Sequence, residues 1–333
     1  MNTTVSIIVP CHNERATIRH LLDAILKQTY PLDQLEVLIA DGHSIDGTRY
    51  EIAVFQKQHP KLSLCVVNNP VGTIPAALNV AINSARGEYI IRMDAHSMPY
   101  PEYVACCVQA LQEERGTNVG GVWEIRPGAQ TWIAESIAVA AAHPLGVGDA
   151  LYRLSPRAGA VDTVPFGAFR RKLIGSIGKF DETLLSNEDY EFNTRVRKSG
   201  GIVWLDPSIR SVYFARASLI ELARQYWRYG FWKWRMLRRY PETLRWRQAL
   251  PPTFVLGLIM LAVLSPFFGL ARLTFLFAIG LYVLVLLFAG IYVAMKHRKF
   301  FLLLGLPLAI ATMHLAWGSG FLWSMLSRLA VTS

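Results

Sequence analysis

The last third of the chain carries the feature that most restricts its fold. Residues 253–271 hold no charged side chain, and two more apolar stretches follow at 273–295 and 300–326. Crossing a bilayer takes about 20 mostly apolar residues, and each stretch is near that length or longer. Three membrane helices are therefore expected within a region spanning 251–333. Pro266 and Pro307 mark where a helix would bend or split, which leaves room for one re-entrant span. The second linker reads Lys296-His297-Arg298-Lys299, whereas the first turn offers only Arg272. The positive-inside bias then places that linker and everything before residue 251 in the cytoplasm, in a multi-pass protein of the inner (plasma) membrane.

The chain has 333 residues, which favours two structural regions. Its 17% charged residues are few for a water-soluble protein, and the apolar excess lies after Pro251. The formal charge of +10 is concentrated in the Arg- and Lys-rich stretch 224–247, next to the first apolar span. That position suits anionic lipid headgroups, and no nucleic-acid motif accompanies it, so a membrane rather than a nucleic-acid partner is expected. Cys11, Cys65, Cys106 and Cys107 form no CxxC pair, which fits reduced thiols in a cytoplasmic region. Residues 1–14 have one short apolar run without a basic start, so no signal peptide is expected.

Residues 5–10, 35–40, 62–67 and 88–93 read as short buried strands. Between them, 17–28, 48–59 and 74–85 read as helices; Ile18, Leu21, Leu22, Ile25 and Leu26 share one face of the first. Strand and helix in alternation imply a parallel sheet covered on both faces, with ligands bound beyond the carboxyl ends of the strands. Residues 101–214 are less regular and read as the acceptor-side half of the same domain. Ser218 followed by Glu221 is a capping-box pattern that opens a helix. The segment it starts, 218–250, mixes Trp227, Trp232, Trp234 and Trp246 with many arginines. It suits either an interfacial helix or a basic surface helix packed by its aromatics.

Four polar stretches carry the chemistry. Asp41, at a strand end before Gly42, can accept a hydrogen bond from a base N–H such as uracil N3; the plain alternative is a strand-to-helix turn capped by Ser44 or Asp46. Asp94 and His96 alternate along extended chain, so both can face one divalent ion, with manganese better suited than calcium to an oxygen–imidazole pair. Such an ion would neutralise a departing diphosphate; the alternative for His96 is a structural hydrogen bond. Glu188-Asp189 supplies a carboxylate base for a sugar hydroxyl, and equally an acidic helix start favoured by the dipole. Gln225, Arg228 and Tyr229 place an amide, a guanidinium and an aromatic face on one helix, for phosphate and sugar or for lipid headgroups.

Taken together, these residues resemble the inverting family 2 glycosyltransferases of GT-A fold, over about residues 5–233. Pro10, Asn13 and Glu14 match the family's opening segment, which lines the nucleotide pocket. Asp41 matches its uracil-reading aspartate, and Asp94 with His96 occupies its Asp-x-Asp position. Glu188-Asp189 matches the Glu-Asp motif, whose aspartate is the family's catalytic base. Gln225, Arg228 and Tyr229 match Gln-x-x-Arg-Trp, with tyrosine for tryptophan. Two departures stand out: Gly42 replaces a second aspartate beside Asp41, and His96 replaces the second aspartate of the metal motif.

The stretches Arg92-Met93-Asp94-Ala95-His96, Phe166 to Arg171, Phe180 to Leu184 and Gln225 to Gly230 are similar to the succinoglycan-biosynthesis type of membrane glycosyltransferase. The resemblance implies an α/β Rossmann-like GT-A domain over 1–217, interfacial helices over 218–250 and the transmembrane region. It also implies a divalent metal (Mg2+ or Mn2+), a UDP-hexose donor, chiefly UDP-glucose, and a polyprenyl-diphosphate-linked glycan acceptor in exopolysaccharide assembly beside other glycan-assembly enzymes. Rival expectations are a processive polysaccharide synthase, a polyprenyl-phosphate glycosyltransferase and an inactive nucleotide-sugar-binding scaffold. A transporter is disfavoured, because His314 is the sole ionisable residue within the spans.

Overall fold

The computed structural model describes residues 4–154 and 157–327; the outermost ends of the expected regions, 1–3 and 328–333, lie outside that range. The chain forms two compact units: residues 1–124 with 151–213, and residues 125–150 with 214–333. In chain order the elements are β1 (Val5–Cys11), α1 (Ile18–Leu26), β2 (Leu35–Asp41), α2 (Thr48–Gln58), β3 (Ser63–Asn68), α3 (Ile74–Ser84), β4 (Tyr89–Arg92), β5 (Met98–Pro99), α4 (Tyr103–Gln112) and β6 (Asn118–Arg126). There follow α5 (Trp132–Ala141), α6 (Pro144–Val147), β7 (Gly159–Ala160), β8 (Ala168–Arg170), α7 (Leu173–Ile177), α8 (Glu188–Lys198) and β9 (Val203–Phe214). The chain closes with α9 (Leu219–Leu237), α10 (Trp246–Leu264), α11 (Gly269–His297) and α12 (Leu302–Leu326).

Among the described residues the sheet has the order β3-β2-β1-β4-β8-β6-β9-β5, with β7 paired to β9. β1 runs parallel to β2 and β4, and β2 parallel to β3. Both faces of β1 and β2 are buried, which is why these strands are continuous apolar runs rather than alternating ones. Successive side chains leave opposite faces of a strand. Val5, Ile7 and Val9 therefore join α1, whose Ile18, Leu21, Leu22 and Ile25 are wholly buried, in one layer. Ile8, Leu38 and Ala40 join Ala77, Leu78 and Ala81 of α3 in the other. The expected all-parallel pattern ends at β8, which is antiparallel to both β4 and β6.

In the second unit, Thr131 caps α5 by accepting from the Ala134 N–H at 3.1 Å. Ser218 caps α9, accepting from the Glu221 N–H at 3.3 Å as the capping-box pattern predicts, while the Glu221 carboxylate accepts from the Ala217 N–H at 3.1 Å, one residue before the N-cap the pattern would use. Three helices, α10, α11 and α12, are long and apolar enough to cross a membrane. The first starts at Trp246 and ends at Leu264, earlier at both ends than the expected stretch 253–271. Pro251 and Pro252 lie within its first two turns. Pro252 has no N–H for the Gln248 carbonyl, and the Trp317 indole N–H of α12 donates to that carbonyl at 3.3 Å instead. At the far end Pro266 disfavours continuation, and the chain turns there.

Candidate active site

β1 and β2 are in register from Val5–Leu35 to Cys11–Asp41, so the loops that follow them leave side by side. Those loops are stitched together. Asn13 N–H donates to Ser44 Oγ at 2.8 Å, and Ile45 N–H to Asn13 Oδ1 at 3.0 Å. Glu14 N–H donates to Thr48 Oγ1 at 2.8 Å, and Arg15 N–H to Asp46 Oδ2 at 3.0 Å. Asn13 itself sits at φ +55°, a conformation Asn tolerates better than most residues. Pro10 is buried just before the end of β1.

Asp41 is fully buried. Its carboxylate accepts from Ser44 Oγ at 2.5 Å, Ser44 N–H at 3.2 Å and Arg49 Nε at 2.5 Å. Burial pushes this carboxyl up, but the Ser44 and Arg49 bonds outweigh it and hold the group below the usual range. Arg49 also reaches Asn68 Oδ1 at 3.0 Å, so one guanidinium ties the ends of β2 and β3 together. Burial, then Asp41, Glu14 and Asp46, push the Cys11 thiol up to about 12, which keeps it protonated and unreactive.

Asp94 and His96 follow the end of β4. His96 Nδ1 is 3.0 Å from Glu14 Oε1. Burial raises the Glu14 carboxyl, but the bonds from His96 and Thr17 prevail and keep it ionised. An ionised carboxylate can only accept, so the imidazole proton lies on Nδ1 and, in the neutral ring, the lone pair lies on Nε2. A carboxylate behind one ring nitrogen is the usual support for a metal-binding histidine. Among the described residues no group of three His, Cys, Asp or Glu side chains could hold a metal on its own. Asp94 and His96 offer one oxygen and one nitrogen donor, so a metal held there would need its remaining ligands from elsewhere.

The guanidinium of Arg92, the last residue of β4, links this carboxylate to α8. Arg92 Nε and Nη2 are each 3.2 Å from Asp94 Oδ1, and Nη1 is 3.0 Å from Glu188 Oε1. Glu188 and Asp189 open α8, where the dipole favours acidic residues, and Asn187 precedes them at φ +65°. Burial raises both the Glu188 and Asp189 carboxyls above the ordinary range, an effect that Arg92 partly offsets. Asp189 feels Asp94 as well. Pro10, Asn13, Glu14, Asp41, Asp94, His96, Glu188 and Asp189 thus all belong to the first unit. Arg92 joins Asp94, Glu188 and Asp189, while Glu14, paired with His96, feels Asp94 as a like charge.

Gln225, Arg228 and Tyr229 lie on α9, in the second unit. Gln225 Nε2 donates to the Tyr229 hydroxyl at 2.9 Å, one helical turn on, and Arg228 is exposed. The sequence reading gave no role to Arg49, none to Arg92 beyond its place in a quoted stretch, and only a helix cap to Ser44. Arg92 had a visible signal, being the one charged residue in the buried run Tyr89-Ile90-Ile91-Arg92.

The chain is similar over nearly its whole length to proteins of known name. It is 28% identical to the succinoglycan biosynthesis protein ExoA of Rhizobium meliloti, covering 96% of this chain and 94% of that one. It is 27% identical to a dolichyl N-acetyl-alpha-D-glucosaminyl phosphate 3-beta-D-2,3-diacetamido-2,3-dideoxy-beta-D-glucuronosyltransferase of Methanococcus voltae, covering 95% of each. In fold it matches the mannosyltransferase PcManGT of Pyrobaculum calidifontis, solved with GDP-Man and Mn2+, at a TM-score of 0.66 and 20% identity, over 98% of this chain and 88% of that one. The first unit therefore has the GT-A fold. The glycosyl transferase family 2 model matches residues 6–178, more than half of the chain. A glycosyltransferase by fold and by relatives, this chain belongs to glycosyl transferase family 2.

Proposed function

We propose that the enzyme transfers a hexose, chiefly glucose, from a UDP-sugar to a polyprenyl-diphosphate-linked glycan in cell-surface polysaccharide synthesis, with inversion at the anomeric carbon. The observation that supports this reading is that Arg92 bonds Asp94 on one side and contacts Glu188, beside Asp189, on the other. Pro10, Asn13, Glu14 and Asp41 line the nucleotide side. A divalent metal on Asp94 and His96 would supply positive charge to the departing diphosphate. Asp189 takes the proton from the acceptor hydroxyl as its oxygen bonds to the anomeric carbon. The bond from that carbon to the diphosphate breaks, and its electron pair leaves with UDP. Arg228 and Gln225 bind phosphate, and Tyr229 offers its ring to a sugar.

The region 1–217 carries the transfer, 218–250 lies in the interface, and 251–333 crosses the membrane three times with the catalytic region cytoplasmic. The Lys296 to Lys299 run between α11 and α12 supports this orientation. An acceptor carried on a lipid monophosphate is the second reading, favoured by the phosphate-linked acceptor in the name of the Methanococcus voltae relative.

The test incubates membranes containing the protein with labelled UDP-sugars and polyprenyl-phosphate, polyprenyl-phosphate-sugar or polyprenyl-diphosphate-sugar acceptors, with and without chelator. A single added hexose on the diphosphate-linked acceptor, lost with chelator, is expected. A ladder of products would indicate a processive synthase, and UDP binding without donor consumption an inactive scaffold; either overturns the proposal.

A further inference from the structure

Arg92 is the most deeply buried arginine of the site, with its side chain 7% exposed, and it stands among three acidic groups. Burial works against its charge, but Asp94, Glu188 and Asp189 outweigh that effect and keep the guanidinium protonated. One planar cation cannot satisfy three carboxylates. Two of its N–H groups converge on the same oxygen, Asp94 Oδ1, at 3.2 Å. The third nitrogen, Nη1, lies 3.0 Å from Glu188 Oε1 but is not aligned for a hydrogen bond, so the contact to α8 is chiefly electrostatic.

The main chain of Arg92 is gripped as well. Its N–H donates to the Gly167 carbonyl at 3.0 Å. Gly167 closes a γ-turn in which its own N–H donates to the Pro165 carbonyl at 2.7 Å, with Phe166 at the centre at φ +63°. A bulky residue in this conformation is strained, and such strain persists only where the surroundings impose it. The same loop reaches α8 twice, through Tyr190 to Asp162 at 3.0 Å and Asn193 to Thr163 at 3.0 Å. Backbone and side chain together make Arg92 the point through which β4, the 162–167 loop and α8 are registered.

We infer that Arg92 is a positioning residue, whose guanidinium couples the donor-side carboxylate Asp94 to the start of α8, so that engagement of Asp94 by the donor sets the orientation of Asp189. This rests on the proposed transferase mechanism. When Asp94 turns its oxygens to the donor, the guanidinium loses its strongest partner, and its field falls on Glu188 and Asp189. Arg92 of β4 and Asp94 in the segment after it are the charged groups that act on Asp189, which in turn raises the neighbouring Glu188 carboxyl within α8.

The experiment measures kcat and KM for the UDP-sugar, UDP affinity and the acidic limb of the kcat–pH profile in full-length protein in membranes. The variants are Arg92→Lys, Arg92→Met and Glu188→Gln. Arg92→Lys keeps the charge but not the planar fork, and is expected to lower kcat about 10²-fold with UDP affinity nearly unchanged, the scale of a misplaced reacting group. Arg92→Met is expected to move the acidic limb to higher pH. Glu188→Gln, which preserves shape should the arginine variants fail to fold, weakens the Arg92 contact to α8 and is expected to lower kcat with UDP affinity nearly unchanged. Folded variants with wild-type kcat, or a limb that stays put in Arg92→Met, would overturn the inference while leaving the transferase reading intact. A wild-type protein that consumes no UDP-sugar would sink the transferase reading instead.

Discussion

Gly230 of α9 and Trp317 of α12 meet backbone to backbone, with no room for a side chain between them. A Cβ at residue 230 would collide with the Trp317 carbonyl oxygen, and the same holds three residues on, where Gly320 faces the Trp227 carbonyl. Close approach through small residues is how helices in membranes associate when burial of apolar surface offers little drive. Gly230→Ala is therefore expected to destabilise the protein by about 1–3 kcal/mol, the usual cost of overpacking. Gly257→Ala, where a Cβ meets nothing, is the control. Thermal unfolding of both in detergent reads the difference, and equal midpoints would contradict it.

Asp189→Asn removes the proposed base while preserving side-chain size. Turnover should fall by about 10² to 10⁴, the typical contribution of a general base, with UDP binding retained. Radiolabel transfer and UDP calorimetry on the same preparation separate the two effects. Near-normal turnover would refute the assignment.

Glu14 fixes the His96 tautomer from behind. Glu14→Ala should raise the Mn2+ concentration needed for half-maximal binding by about 10- to 100-fold, the usual effect of losing such a support. Electron paramagnetic resonance of added Mn2+ reads this without reference to turnover. An unchanged midpoint would mean that His96 is not a ligand.

The pH response should have two parts of opposite sign. Asp189 has its folded carboxyl raised by burial, so its basic form is lost as pH falls through a value above the usual aspartate range of about 3.9. Activity should thus fade at a pH where the fold is intact. Asp41 and Glu14 have folded carboxyls held low, so the stability they contribute is present above their unfolded values and lost as pH falls through the folded ones. Rate profiles and denaturant midpoints across the acidic range should therefore separate, with rate failing first. Coincident curves would count against the raised carboxyl at Asp189.

The first half of the fold was legible because parallel strands buried on both faces are written as unbroken apolar runs, and β1, β2 and β4 fall within a residue or so of expectation. The polar residues after β1 and β2 were singled out because ligands of parallel sheets bind beyond the carboxyl ends of the strands. Arg92 was not recognised, because a charge at the end of a buried strand has no meaning until α8, about a hundred residues later, brings its carboxylates to it. The early start of α10 was hidden by Pro251-Pro252, which read as a boundary. It becomes intelligible only once Trp317 is seen to satisfy the carbonyl left open by Pro252. Long-range partners, rather than local propensity, decided each of these.

Residues 125–150 belong to the compact unit of α9 to α12 rather than to that of the strands on either side of them. Within that unit α5 lies against α12, Glu135 pairs with Lys299, and Leu145 holds His314 through its carbonyl at 2.7 Å. A fragment cut after residue 217 would retain α5 without its partner and turn Ala134, Ile137, Ala138 and Ala141 toward water. The two units of this chain are consequently inseparable by a single cut, because the segment 125–150 of the second is inserted in the sequence of the first.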